Sequence, residues 1–505
     1  MFSEERSNEA FRKVRNRLKK HYPEEIVLAC ISKLNEQPQD RIEHLRRYPP
    51  WRLLLLIKWT FIYGEYLSPY RKKLNTENFN YLLNLVHDFN GSLRLPSEYE
   101  NIFLFFRNMA FQQFWLQQSF SMPNFARQRL LFGKLESTHT FKIKFLEKCG
   151  ISISDFIELS TILMTRFTIE KQKSVSIEWF KTVADKYEIG TIRRFFDLLS
   201  IDFNSLRRKL QNEKQANRKV SYEAYEKTPL METPLIRINS VYYPFSPELI
   251  ARCLETFIYD TLKSDNPNEF MNQFGSVFEK YVGYLISKTG ITNFTEKDLV
   301  QNLDGTGKVV DYLLIDNGSR IYIDAKGVEM AYLGMVGHQP EIITDKTKTS
   351  LIKGISQGIE TAKRLNSIDI INETRVEKGN NYLLIVTFKE MFVGNGIEFY
   401  NYVAKETLDR LLTDNENRVL IPFQNMYFIS IDDFDLLMGG IASREIELTQ
   451  ILEHAIKSDT DPLTMKFTFG QHISDRYPKL PYPSWLMEEC KAIIESCRAR
   501  FNVIS

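Results

Sequence analysis

The chain has 505 residues, 43% of them hydrophobic and 26% charged, with a formal net charge of +2 at pH 7. That length exceeds what one ordinary core organises, so two or three domains of a soluble globular protein are expected. The near-neutral balance excludes a globally basic, histone-like binder, and any nucleic-acid contact has to come from local patches.

Cys30, Cys149, Cys253, Cys490 and Cys497 are scattered and lack C-x-x-C spacing. They argue against a zinc ribbon or a disulfide framework and for a reducing interior. The N-terminal stretch is charged, without the apolar core of a secretory signal. The longest apolar run, Trp51 to Tyr63, contains Arg52 and Lys58 and falls short of the roughly 20 residues that span a bilayer. The reading is a cytoplasmic protein with no membrane contact.

In chain order, residues 1–210 read as a helical domain. Apolar residues recur at three- and four-residue spacing in Tyr81–Phe89, Ile102–Trp115 and Phe156–Phe167. Ser154 and Thr191 are placed to start helices. The polar stretch Gln211–Val220, followed by short extended pieces between Pro229 and Pro247, reads as a linker over 211–245. A domain over 246–440 follows, with helices at Pro247–Leu262 and Glu269–Lys288. A hairpin comes next, then a loop from Val328 to Lys348 and a helix at Ser350–Leu365. Strand Tyr382–Phe388, a helix around Ala404–Leu412 and strand Met426–Ile431 complete it. That alternation predicts an α/β layer with a mixed central sheet, and the unbroken apolar run at 382–388 predicts a strand buried on both faces. Residues 441–505 read as a helical C-terminal extension.

The hairpin carries the chemistry. In Lys308–Gly327 two short apolar strands meet at Asn317-Gly318, the pair that favours a two-residue type I′ turn because both central residues take positive φ. Counting outward pairs Asp316 with Ser319 and Asp311 with Asp324. Opposed residues share a face, and Lys326, two residues beyond Asp324, shares it too. Two opposed carboxylates destabilise a ribbon unless positive charge sits between them, and a divalent cation fits that need. An acid-x-Lys triplet alone is equally a solvated strand edge in a chain with 64 acidic and 66 basic residues. The apolar ribbon and the computable register set this one apart. Asp304-Gly305-Thr306-Gly307-Lys308 lacks the first glycine and the Ser/Thr of a phosphate loop, and His338 is a lone loop histidine.

This hairpin, with Asp311 and Asp324-Ala325-Lys326 and with Glu279 on the preceding helix, resembles the PD-(D/E)XK, or restriction-endonuclease-like, nuclease superfamily over roughly residues 268–435. The resemblance implies a metal-dependent nuclease in which Asp311, Asp324, the Ala325 carbonyl and Glu279 hold Mg²⁺, with Mn²⁺ able to substitute. Lys326 would orient or activate the attacking water. Gln357 occupies the place of a glutamine found on the following helix in some members. Thr361 stands where those members often have tyrosine, and Val310 where a proline often precedes the first aspartate.

The implied substrate is DNA, double-stranded, cut by an endonuclease of an anti-phage or restriction-type defence system. Expected partners are a separate protein such as an ATPase and a second copy of the chain. The alternatives are an inactive nuclease fold serving as a nucleic-acid-binding scaffold, and a nuclease acting on RNA. Basic clusters at Arg12, Lys13, Arg15, Arg17, Lys19 and Lys20, at Arg207, Arg208, Lys209, Lys214, Arg218 and Lys219, and at Lys346, Lys348 and Lys353 are candidates for phosphate contact or are solvated helix faces.

Overall fold

Helical periodicity builds most of the first 264 residues. In a computed structural model of the chain, which describes residues 2–117, 120–213, 219–303, 307–413 and 420–500, helix Pro50–Tyr63 buries every residue from Leu53 to Ile62. A helix apolar all round belongs in the middle of a core. The charge within that buried run, Lys58, is held between Glu223, at 2.6 Å, and Glu226. The chain packs as two units, Met1–Ser264 with Glu489–Ser505, and Asp265–Glu488.

Four short strands in the first unit correct the expectation of an almost wholly helical N-terminal region followed by a linker. Strands β1 (Val175–Ser176), β2 (Ser200–Asp202), β3 (Leu235–Ile238) and β4 (Val241–Pro244) form one sheet in the order β1-β4-β3-β2. β3 and β4 turn at Asn239-Ser240, both at positive φ (47° and 66°). Within 211–245 the expected extended pieces at 235–238 and 241–243 pair as β3 and β4, and helix Pro247–Lys263 stays in the same unit. The break in packing falls after Ser264. The C-terminal extension is also divided. Its last helix buries Cys490, Ile493 and Cys497, and Arg500 pairs with Asp155 at 2.7 Å inside the first unit.

The second unit opens with helix α1 (Pro267–Ser287), strand β5 (Thr292–Thr295) and helix α2 (Glu296–Asn302). The hairpin of β6 (Tyr312–Asp316) and β7 (Ser319–Lys326) follows. The expected loop after it holds two short helices, α3 (Tyr332–Val336) and α4 (Pro340–Thr347), and a π turn leads into α5 (Lys353–Leu365). A small hairpin, β8 (Ile370–Ile371) with β9 (Thr374–Arg375), precedes β10 (Asn381–Thr387) and β11 (Met426–Ser430).

The sheet order is β11-β10-β7-β6-β5. β6 runs antiparallel to both neighbours, while β7, β10 and β11 are parallel. This is an α+β architecture with a mixed sheet, and β10, buried from Tyr382 to Thr387, is the two-sided strand its sequence predicts. Among the described residues no helix is long and apolar enough to cross a membrane.

Candidate metal centre

The Asn317-Gly318 turn takes φ values of 46° and 74°, the left-handed pair that a type I′ hairpin requires. Its register runs from Asp316 opposite Ser319 to Tyr312 opposite Ile323. The paired register stops there, and Asp311 stands just ahead of β6, close enough to Asp324 for the two charges to act on each other. The Ala325 amide donates to Asp311 Oδ2 at 2.6 Å, and Lys326 Nζ stands 2.6 Å from Asp324 Oδ2. Lys326 also donates to Gln357 Oε1 at 3.1 Å, and Gln357 Nε2 in turn donates to the Val309 carbonyl at 3.0 Å. Thr361, one turn on, accepts the Val310 amide at 3.1 Å and donates to the Gln357 carbonyl at 2.7 Å. Thr361 therefore fixes the backbone just ahead of Asp311.

Two glycines let α1 reach the hairpin. A Cβ on Gly327 would lie 3.0 Å from the Phe274 ring, and one on Gly283 would lie 2.2 Å from the Tyr312 hydroxyl. That hydroxyl donates to the Glu279 carbonyl at 3.0 Å. Phe274, Phe278 and Val282 bury the same helix face, so Glu279, next to Phe278, is carried to the edge of the sheet. On the other side, a Cβ on Gly354 of α5 would approach Asp324 Oδ2 to 2.7 Å. Asp324 is thereby sealed at 0% exposure.

Glu279, Glu296 and Asp311 each bring a carboxylate oxygen within 4.8 Å of the others. The structure thus gathers Glu279 and Asp311, as expected, with an acid that sequence reasoning missed. Asp324 stays outside this cluster, behind Asp311 and against Lys326. Glu296 opens α2, whose start is fixed by a reciprocal Thr295–Asp298 cap, and its amide donates to the Asp311 carbonyl at 2.7 Å. The Thr295-x-x-Asp298 spacing is a helix-start signal visible in the sequence, and it is the one cue that could have located Glu296.

The electrostatics are those of crowded acids. Burial, then the charge of Asp324, pushes the Asp311 carboxyl up to about 7. Burial raises Asp324 against the pull of Lys326, and burial with the Glu296 charge raises Glu279. Lys353 is lowered by burial and by the charges of Lys326 and Lys308, so three lysines ring the acids.

Asp324 Oδ1 is buried and accepts no hydrogen bond. A hard divalent ion takes carboxylate and carbonyl oxygens at about 2.0–2.6 Å. The oxygen-only donor set and the orphaned buried carboxylate oxygen both fit such an ion.

Several basic residues expected to meet phosphate are engaged locally. Lys13 pairs with Glu9 at 3.3 Å, Lys209 with Glu232 at 2.5 Å, Lys219 with Glu4 at 3.2 Å and Lys346 with Asp345 at 2.8 Å. Lys214, Arg218 and the Asp304–Thr306 part of the glycine-containing loop lie outside the described residues. His338 lies between α3 and α4. No family model matches the chain, and neither does any curated protein or solved structure.

Proposed function

We propose that the second unit is a metal-dependent nuclease of the PD-(D/E)XK type that hydrolyses phosphodiester bonds in DNA, with Mg²⁺ as its ion. The observation that carries this reading is Asp311 and Asp324 brought together at the open end of one hairpin, near enough for the Asp324 charge to raise Asp311. Lys326 follows on the same strand, and Glu279 is brought in from the helix before. The strand order, with an antiparallel β5-β6-β7 ribbon leading to parallel β10, supports it.

Asp311, Asp324, Glu279 and the Ala325 carbonyl are the groups that would hold the ion. When bound, Mg²⁺ would polarise the phosphoryl oxygen and lower the pKa of a water ligand. The chain's own residues orient the rest. Asp311 is held in place by the Ala325 amide. Lys326, steadied by Gln357, presents an ammonium beside the acids, where it hydrogen-bonds the attacking water and offsets negative charge building on the phosphate. Lys353 and Lys308 add cationic charge at the same rim, suited to a phosphate backbone and indifferent to base sequence.

The test is cleavage of linear and plasmid DNA, single-stranded DNA and RNA with Mg²⁺ or Mn²⁺, against EDTA, Asp324→Ala and Lys326→Ala. The expected result is metal-dependent DNA cleavage that both substitutions abolish. Cleavage untouched by either would overturn the residue assignment. Preferential cutting of RNA would reassign the substrate.

A further inference from the structure

We propose that the groove at the turn end of the β6–β7 hairpin is a docking site for an extended, lysine- and arginine-bearing segment of a partner protein. The inference does not rest on the nuclease reading, because the groove lies at the other end of the hairpin from Asp311 and Asp324.

The Asn317-Gly318 turn, residues 369–380 and the start of helix Leu448–Asp459 enclose about 1200 Å³. Gly318 and Asp324 are six residues apart in the chain, about 20 Å along an extended strand. Small ligands usually occupy pockets of about 300–1,000 Å³, so the space suits a stretch of polypeptide. Its walls are braced. Asp316 Oδ2 accepts the Thr449 amide and hydroxyl, both at 2.8 Å. Arg320 donates to the carbonyls of Glu377 and Val376 at 2.9 and 3.0 Å. Gly379 passes so close to the turn that a Cβ there would stand 2.2 Å from the Gly318 carbonyl oxygen. The groove is therefore formed before anything fills it, which lowers the ordering cost of docking.

Charge identifies the occupant. Five carboxylates and two cations line the groove. Asp369 is paired with Lys378 at 2.8 Å. That leaves Glu373 and Glu377 on one wall and Glu447 and Glu453 on the other, all exposed. Among the described residues none of these four makes an ion pair. They are spread along the groove. Among the described residues the group of acids close enough to share one ion is Glu279, Glu296 and Asp311. The complement is thus a row of separated positive charges, and a phosphate backbone is repelled. Ile370, 61% exposed in the same groove, gives the methylene stems of lysine or arginine an apolar surface to lie on. The hairpin's other end gathers Lys308, Lys326 and Lys353, so the two ends of the sheet present opposite charge and a cationic segment is steered to the turn end.

The experiment is fluorescence anisotropy of the full-length chain with a labelled, end-blocked peptide of alternating lysine and alanine. Glu447→Gln/Glu453→Gln is compared with Glu341→Gln/Glu406→Gln, which removes the same charge at exposed positions outside the groove. The expected result is one peptide per chain, bound about tenfold more weakly by the first pair and less than about twofold more weakly by the second. Arg375 makes no ion pair among the described residues, and Arg375→Gln should tighten binding about threefold, a gain that misfolding cannot imitate. Equal weakening by the two pairs, or no gain from Arg375→Gln, overturns the groove as the site. Spermine that displaces the peptide at lower concentration than unlabelled peptide does would assign the groove to a free polyamine and overturn the partner-protein reading. Self-association of the chain that Glu447→Gln/Glu453→Gln abolishes in sedimentation would do the same in favour of a second copy.

Discussion

The Tyr312 hydroxyl donates to the Glu279 carbonyl at 3.0 Å and occupies the space in which a Cβ on Gly283 would stand, 2.2 Å away. Strand β6 and helix α1 are thus pinned together one turn from Glu279, an acid of the candidate metal cluster. Helix propensity alone favours alanine over glycine by about 1 kcal/mol. Here the added methyl meets a ring with nowhere to go, and overpacking of that kind costs about 1–3 kcal/mol.

Gly283→Ala is therefore expected to lower stability despite the helix gain, and to weaken Mn²⁺ binding by displacing Glu279. Tyr312→Phe removes only the hydrogen bond, a loss of about 1 kcal/mol. Urea titrations of both variants check this, and a Gly283→Ala midpoint at or above wild type would contradict the pinning.

The raised acids make stability depend on pH in a definite direction. Asp311 is raised to about 7 in the folded chain, so between about pH 4 and 7 the folded state binds more protons than the unfolded one. The stabilisation is fully present below the unfolded pKa and is lost as pH rises through 7. The raised Glu279 and Asp324 act in the same sense. In EDTA the urea midpoint should fall between about pH 5 and pH 8. Millimolar Mg²⁺ should restore much of the loss at pH 8, because an ion bound only by the folded state stabilises it. Asp311→Asn should flatten the EDTA profile. A profile identical in wild type and Asp311→Asn would remove Asp311 as its source.

The hairpin was legible because its information is local. Asn317-Gly318 fixes the turn, and the strand period of two then fixes which side chains oppose. The buried strand at 381–387 was legible for a similar reason, since the continuous apolar run Tyr382–Val386 admits few other readings. What escaped notice depends on distant segments. β1 and β2 are two and three residues long, and they are strands only because β3 and β4 arrive from 35 or more residues later. β5 buries one residue, Phe294, so no alternation marks it. Missing β5 meant missing that α2 begins beside Asp311, and Glu296 went unnoticed with it. In the expected loop after β7, α3 and α4 are five and eight residues long, too short for a clear helical period.

Arg320 is a charge inside what reads as an apolar ribbon, and the structure explains its place. It is 3% exposed and donates to four carbonyls, those of Glu377, Leu365, Ile368 and Val376, at 2.9–3.0 Å. It thereby gathers the end of α5 and the segment leading into β10 onto β7. Losing it leaves four acceptors short of donors, each a penalty of about 1–3 kcal/mol where water cannot enter. Arg320→Met is expected to cost at least about 3 kcal/mol. Arg320→Lys should recover little, because an ammonium cannot reproduce the planar fork. A lysine variant as stable as wild type in urea would show that the charge matters and the fork does not.

On the nuclease reading, Gln357 would act on the chemistry through Lys326. Its Oε1 accepts from the ammonium at 3.1 Å, while its Nε2 is anchored on Val309 at 3.0 Å, so the side chain sets where the ammonium sits relative to Asp324. Removing a partner of this kind typically costs about 10- to 100-fold in activity. Gln357→Ala is expected to lower kcat by that factor with KM and Mn²⁺ stoichiometry unchanged, since the phosphate-facing lysines and the carboxylates remain. Lys326→Gln should abolish turnover, and adding Gln357→Ala to it should change nothing further, because a positioning residue has no effect once the group it positions is gone. Kinetics of the two single variants and the double variant decide this. A rise in KM with kcat intact would place Gln357 in substrate binding and break its link to Lys326.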